Sequence, residues 1–220
     1  MSIERFDGLI GRIPPRSTSL KILKLHSINM IKNWIYTLIA LVAFTACGNQ
    51  VEYEYTDYHS NLTLDNSVHL DATLASAMNA LSPGIFTIIK TQYKSGANYY
   101  QFANNHKLAS EKPFTAIDVR LQNQLHIGMN NGLIVGYGNL DNPARFYAYD
   151  LQCPNCFTPD AYPLRSYELK IDAQGIATCT HCKRTYNLNT GGNIVSGDKG
   201  RTLYRYRAST TGPNGLLRVN

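Results

Sequence analysis

The chain has a single tryptophan, no apolar run long enough to span a bilayer, and none of the short motifs that mark common enzyme classes. Gly-x-Ser-x-Gly, P-loop and His-Glu-x-x-His patterns are all absent, so no serine hydrolase, P-loop protein or zincin is indicated. No repeat at solenoid periods occurs either. With no candidate catalytic residue, we expect a protein that is not an enzyme.

Most of the chain also has little excess of positive over negative charge. The net charge is +6, but residues 1–46 carry six Lys/Arg and two Asp/Glu, which gives +4. Residues 47–220 carry fifteen Lys/Arg and thirteen Asp/Glu, which gives a net charge of only +2. A nucleic-acid partner is therefore not expected. Fifteen tyrosines and 44% hydrophobic residues instead favour a β-rich body with a core of its own.

The longest apolar stretch runs from Trp34 to Phe44, eleven residues interrupted only by Thr37. Spanning a bilayer takes about 20 apolar residues, so this stretch is too short for a lasting transmembrane helix. A short basic segment precedes it, and small residues follow it immediately before Cys47. This arrangement predicts a signal peptide at residues 30–46.

The ending Phe44-Thr-Ala-Cys47 resembles a bacterial lipobox, in which the cysteine is acylated and becomes the new N-terminus. The resemblance implies lipid attachment at Cys47, a membrane partner through that lipid, and a place in the bacterial cell envelope. Gly48 after the cysteine is similar to lipoproteins sent to the outer membrane. The alternative is an uncleaved anchor helix with an incidental cysteine.

Two further segments flank the signal peptide. We expect translation to begin at Met30 and residues 1–29 to be an extension of the gene model, since a signal peptide belongs near the N-terminus. The polar residues 47–60 are predicted to form a flexible tether to the folded domain at 61–220.

Residues 61–220 read as many short strands separated by turns, which predicts a mainly β antiparallel sandwich or barrel. One helix is expected, from Ala72 to Leu81, ending at Ser82-Pro-Gly84. The predicted strands or hairpins include alternating residues from Leu62 to Leu70 and the segments 85–90, 93–102, 115–119, 133–137, 145–151, 167–171, 176–178 and 203–207.

Four of the five cysteines form two Cys-x-x-Cys pairs. Cys153-Pro-Asn-Cys156 and Cys179-Thr-His-Cys182 are separated by 22 residues, and a predicted hairpin delivers Cys179. Each short turn aims two thiolates at one point, so two such turns complete a tetrahedral metal site. The spacing predicts that these four cysteines bind one metal.

The cysteine segments resemble the Rieske domain family. Phe146-Tyr-Ala-Tyr-Asp-Leu-Gln-Cys153 and the run from Cys179 through Tyr186 to Thr190-Gly191 fit the frame of its two cluster-binding loops. The resemblance implies a small two-loop metal-binding subdomain at about 145–195. A Rieske cluster needs a histidine in each loop. Here Asn155 and Cys182 stand at those positions, leaving four thiolates.

Three interpretations of the four thiolates remain open. The first is a structural, non-catalytic zinc in a closed site. The second is an iron centre, a single iron or a [2Fe–2S] cluster, with electron transfer as its function. The third is a metal-free domain held by disulfides, since the envelope is oxidising. His181 is expected to be an exposed loop residue, and Asp150 and Asp172 to serve strand ends and turns.

Overall fold

The structure is a computed structural model that describes residues 54–220. The predicted gene-model extension at 1–29, the signal peptide at 30–46, the lipidation site Cys47 and the tether up to residue 53 lie outside the described residues. Those expectations stay predictions.

Thirteen strands and three short helices make up the described chain. The strands are β1 (Leu62–Asp65), β2 (Phe86–Lys94), β3 (Ala97–Asn104), β4 (Ala109–Pro113), β5 (Leu133–Tyr137), β6 (Phe146–Asp150), β7 (Leu169–Ile171), β8 (Ile176–Cys179), β9 (Thr185–Asn187), β10 (Asn193–Ser196), β11 (Arg205–Tyr206), β12 (Ala208–Thr210) and β13 (Leu216–Val219). The helices are α1 (Asn66–His69), α2 (Ala72–Ala77) and α3 (Ala116–Leu121), with 3-10 turns at Gln122–Gln124 and Leu188–Thr190.

The strands form three antiparallel sheets. The largest has the order β11-β6-β5-β2-β3-β4, a three-stranded sheet has the order β1-β13-β12, and a four-stranded sheet has the order β10-β9-β8-β7. The predicted mainly β fold of antiparallel sheets is confirmed, and no closed barrel forms within residues 54–220.

The six-stranded sheet is the middle layer, because its side chains alternate between two separate cores. Leu133 and Val135 pack with residues of β1, β13 and α2 in the first core. Ile134 points the other way and packs with the four-stranded sheet in the second core, which also contains Cys153 and Cys179. Successive residues of a strand face opposite sides, so a strand buried on both faces reads as a continuous apolar run. The candidate metal site thus belongs to the second core.

The prediction of alternating strand structure from Leu62 to Leu70 is wrong in its second half. After β1, the Asp65 carboxylate accepts a hydrogen bond from Ser67 N–H at 2.9 Å and caps α1. Val68 and Leu70 are then 53% and 66% exposed rather than turned into the core. Local capping by an aspartate outweighs the weak alternation of the sequence.

The predicted strand at Thr115–Val119 is also wrong, since this segment forms α3. Thr115 and Asp118 make a reciprocal capping box in which each side chain accepts from the other residue's backbone N–H. The pattern Thr-x-x-Asp carries that signal, and it overrides the β-branched residues Ile117 and Val119.

The first helix candidate is confirmed, although α2 ends at Ala77. Strands β4, β9, β10, β12 and β13 were not predicted. The remaining strand segments are confirmed in place, with ends that differ by a few residues.

Residues 54–60, assigned above to the tether, contact the domain. Thr56 N–H donates to the Arg205 carbonyl at 2.8 Å, and the Glu54 carboxylate pairs with Arg205 at 3.0 Å. Ser60 is fully buried. No helix within residues 54–220 is long and apolar enough to cross a membrane.

Candidate metal centre

The first cysteine loop begins where β6 ends. Cys153 N–H donates to the Tyr167 carbonyl at 2.9 Å, which ties the loop to the segment leading into β7. The Cys153 carbonyl then accepts from Cys156 N–H at 3.1 Å and Phe157 N–H at 2.9 Å. This tight turn brings the Cys153 and Cys156 side chains to the same side of the loop.

The second loop is the turn between β8 and β9. Cys179 ends β8, its N–H donates to the Arg184 carbonyl at 3.0 Å, and its carbonyl accepts from Lys183 N–H at 3.0 Å. Lys183 has φ 62°, the left-handed conformation that lets so short a turn close. Cys182 is therefore turned back toward Cys179.

The two loops place all four sulfur atoms within 4.8 Å of one another. Cys153 Sγ lies 3.7 Å from Cys182 Sγ, and Cys156 Sγ lies 3.8 Å from Cys179 Sγ. A tetrahedron with Zn–S bonds of about 2.3 Å has edges of about 3.8 Å. The four cysteines predicted from spacing are thus brought together, at a separation that fits a single tetrahedral metal ion.

All four cysteines are free thiols in the structure. A disulfide requires sulfur atoms about 2.05 Å apart, well below the separations found here. Cys153 and Cys179 are buried, at 0% and 1% exposure, whereas Cys156 and Cys182 are half-buried. Two ligands would thus face the core and two the surface.

The loops make the four thiols chemically unequal. Burial raises the pKa of the Cys153 thiol and that of Cys156. Burial would also raise the pKa of Cys182, but hydrogen bonds from the backbone N–H and the guanidinium of Arg184 outweigh it and lower that pKa to about 6. One thiolate therefore forms readily near neutral pH, and metal binding releases protons from the others.

Several neighbours of the sulfur atoms were not identified from the sequence. The Tyr186 hydroxyl lies 3.4 Å from Cys153 Sγ and accepts from Asn155 Nδ2 at 2.9 Å. Asn155 also donates to the Arg201 carbonyl at 2.8 Å and accepts from Arg201 N–H at 2.9 Å. Asn155 therefore ties the first loop to the segment before β11.

Arg184 fixes the outer side of the second loop. Its side chain donates to the carbonyls of Asp198 at 3.0 Å and Lys199 at 3.1 Å, and it is only 14% exposed. The guanidinium is thereby held beside Cys182. A fixed cation at this point offsets part of the negative charge that four thiolates carry around a divalent ion.

The other candidates behave as expected. His181 is exposed, with Nδ1 3.5 Å from Cys156 Sγ and its ring against Tyr167 at 4.8 Å between centroids. Asp150 accepts from Met129 and Gln152 N–H groups at the end of β6, and Asp172 accepts from Gln174 N–H in a turn. Neither carboxylate belongs to the metal site.

No family model matches the chain, and no curated protein matches it.

Proposed function

We propose that this chain is a lipid-anchored protein of the bacterial cell envelope whose β domain holds a structural, non-catalytic zinc ion at Cys153, Cys156, Cys179 and Cys182. The observation that carries the metal is the set of four free thiols within 4.8 Å of one another. Anchoring is supported by the sequence Phe44-Thr-Ala-Cys47.

A single ion is favoured over a two-iron cluster by the sulfur positions. A [2Fe–2S] cluster divides its four ligands between two metal atoms, which keeps the two pairs of thiolates farther apart than one ion does. Here all four sulfur atoms lie within 4.8 Å of one another, so the two pairs are not separated. Four thiolates around one tetrahedral ion are typical of zinc.

A structural role is favoured because the site is closed. Four protein ligands fill a tetrahedral ion, so no position is left for water or substrate. The positions of the loops support the same role: one loop follows β6 and the other joins β8 to β9, so an ion would hold the two together. In this proposal the two loops remain from a cluster-binding frame, while the histidines are replaced.

The test is to measure the metal content and absorption spectrum of the full-length protein and of Cys182→Ser. We expect one zinc per chain and no visible colour in the wild type. The variant should lose the metal, and its free energy of unfolding should fall by at least about 3 kcal/mol, since structural zinc contributes about 10–16 kcal/mol in peptides.

Thr180→Ala is the matched control, because Thr180 is an exposed residue of the same loop. It should keep both zinc and stability. A red-brown protein would assign iron and electron transfer, and a metal-free protein without titratable thiols would assign disulfides. Unchanged stability in Cys182→Ser, together with the loss of an electron-transfer activity, would also overturn the structural role.

A further inference from the structure

A second feature of the molecule lies away from the cysteines, at the far end of the β2–β3 hairpin. A cleft of about 580 Å³ lies between this hairpin, the 3-10 turn that follows α3, and the loop before β5. Small-molecule sites typically have volumes of about 300–1,000 Å³. The cleft is therefore large enough for a ligand of several rings.

The lining of the cleft is polar but carries no Asp, Glu, Lys or Arg. Five of its residues are carboxamides: Asn98, Gln122, Asn123, Asn130 and Asn131. A carboxamide offers both donors and acceptors without charge, as a ligand hydroxyl does. Phe114 and Leu125 add apolar surface. The lining also includes His126, and it contains no carboxylate, lysine or arginine that would pair with a charged ligand.

Part of the lining is fixed before any ligand arrives. Asn131 Oδ1 accepts from Thr91 N–H at 3.0 Å and Oγ1 at 2.8 Å, and its Nδ2 donates to the Thr91 carbonyl at 2.8 Å. Gly128 has φ 61°, and a Cβ there would lie 2.5 Å from the Gly132 carbonyl oxygen. These contacts hold the loop 127–132 against β2, and a loop ordered before binding lowers the entropic cost of binding.

Other polar groups of the lining keep free donors and acceptors within residues 54–220. Asn98 Nδ2 donates to Gln122 Oε1 at 3.0 Å, which leaves one acceptor on Asn98 and one donor on Gln122 side by side. The side chains of Asn123 and Asn130 make no hydrogen bond in that part of the chain. Adjacent donors and acceptors of this kind match the vicinal hydroxyls of a sugar, whose C–H faces pack on apolar groups such as Phe114.

We propose that this cleft binds a neutral oligosaccharide. The proposal goes beyond the structural metal and does not depend on it. Hydroxyls of the sugar exchange hydrogen bonds with Asn98, Gln122, Asn123 and Asn130, and a ring face lies against Phe114.

The test uses the full-length protein and a panel of neutral trisaccharides with glucose, mannose or N-acetylglucosamine units, followed by saturation-transfer NMR and calorimetry. We expect at least one trisaccharide to bind, with an affinity that changes little as ionic strength rises, because the lining contains no Asp, Glu, Lys or Arg. Asn123→Ala/Asn130→Ala should weaken binding about tenfold or more, since two hydrogen bonds are lost.

Asn214→Ala is the control, because Asn214 is an exposed amide in the β12–β13 turn. It should bind as the wild type does, and all variants should keep the wild-type melting temperature. Failure of every trisaccharide to bind would overturn the proposal. So would binding that the Asn123/Asn130 variant leaves unchanged, or binding only of acidic sugars with strong salt dependence.

Discussion

At the residue scale, Tyr186 joins two parts of the metal centre through one hydroxyl. The ring is fully buried in the second core, and the hydroxyl lies between Asn155 Nδ2 and Cys153 Sγ. When Cys153 is a thiolate, the tyrosine is the only donor of that pair. The hydroxyl would thus stabilise a metal-bound Cys153 sulfur, and it holds the Asn155 side chain in place.

Replacing Tyr186 by Phe should lower zinc affinity about tenfold, because groups that hydrogen-bond to metal ligands typically contribute about 10–100-fold. Competition with a chromophoric chelator measures this change. Tyr162→Phe is the control, since Tyr162 is fully exposed. Equal affinities for all three proteins would show that the Tyr186 hydroxyl does not act on Cys153.

Asp150 is a second residue with several partners. It is fully buried, and its carboxylate accepts from Met129 N–H at 2.7 Å, Gln152 N–H at 2.7 Å and the Tyr206 hydroxyl at 2.8 Å. Burial raises the pKa of Asp150, although these three hydrogen bonds oppose the rise. The carboxylate links the cleft loop, the first cysteine loop and β11.

Asp150→Asn should lower the free energy of unfolding by about 2 kcal/mol at low pH, because an amide NH₂ then faces a buried donor. The folded pKa is above the unfolded one, so the wild type gains stability from the protonated acid at low pH and loses it as pH rises through the folded pKa. The advantage of wild type over variant should therefore shrink from about pH 4 toward neutral.

Urea unfolding of both proteins across that pH range measures the difference. Both proteins carry the same cysteines, so acid release of metal largely cancels in the comparison. A difference that grows with pH would contradict the assigned direction of the Asp150 pKa.

At the element scale, α3 depends on its cap. The Thr115 hydroxyl accepts from Asp118 N–H at 3.3 Å, and the Asp118 carboxylate accepts from Thr115 N–H at 2.7 Å. The same carboxylate lies 3.1 Å from His69 Nε2 and 3.3 Å from the Tyr100 hydroxyl. The cap thus connects α3 to α1 and β3.

Thr115→Ala should cost about 1 kcal/mol of unfolding free energy, as other losses of a helix N-cap do. Thr115→Ser keeps the hydroxyl and should restore most of that loss. Thermal unfolding followed by circular dichroism measures both. If Ser and Ala destabilise equally, the methyl group rather than the cap matters at this position.

Elements with a strong apolar pattern could be predicted from the sequence, and weakly patterned ones could not. Leu133–Tyr137 reads as a buried strand because both of its faces are covered, and Lys94–Ala97 reads as a turn because of its Ser-Gly pair. Strand β4 is Ala-Ser-Glu-Lys-Pro, which has no strand signature and pairs only with β3. Its position is set by tertiary contact.

The clustering of the four cysteines could be predicted for a similar reason. Cys-x-x-Cys spacing is a local property, so the four thiols were identifiable without the fold. The contacts of Asn155 with Arg201 and of Tyr186 with Cys153 join residues 46 and 33 positions apart. Such residues come together only in the tertiary fold.

At the scale of the whole molecule, the two cores have different support. The first core is filled by large apolar side chains from α2 and from strands β1, β2, β3, β5, β6, β11 and β13. The second includes two of the cysteines, and the strands beside them, β7, β8 and β9, are only three or four residues long. Short strands bury little surface, so on the proposed function the four-stranded sheet would depend most on the metal.

Removing zinc from the full-length protein with a chelator should therefore unfold one layer before the others. Hydrogen exchange should lose protection first at Leu169–Ile171, Ile176–Cys179 and Thr185–Asn187, because local opening follows the weakest cooperative unit. Leu133–Tyr137 and Leu216–Val219 should keep theirs, and added zinc should restore the rest. Loss of protection in all three sheets together would mean that the ion stabilises the whole domain as one unit. Unchanged exchange in every strand would instead show that zinc does not stabilise the four-stranded sheet.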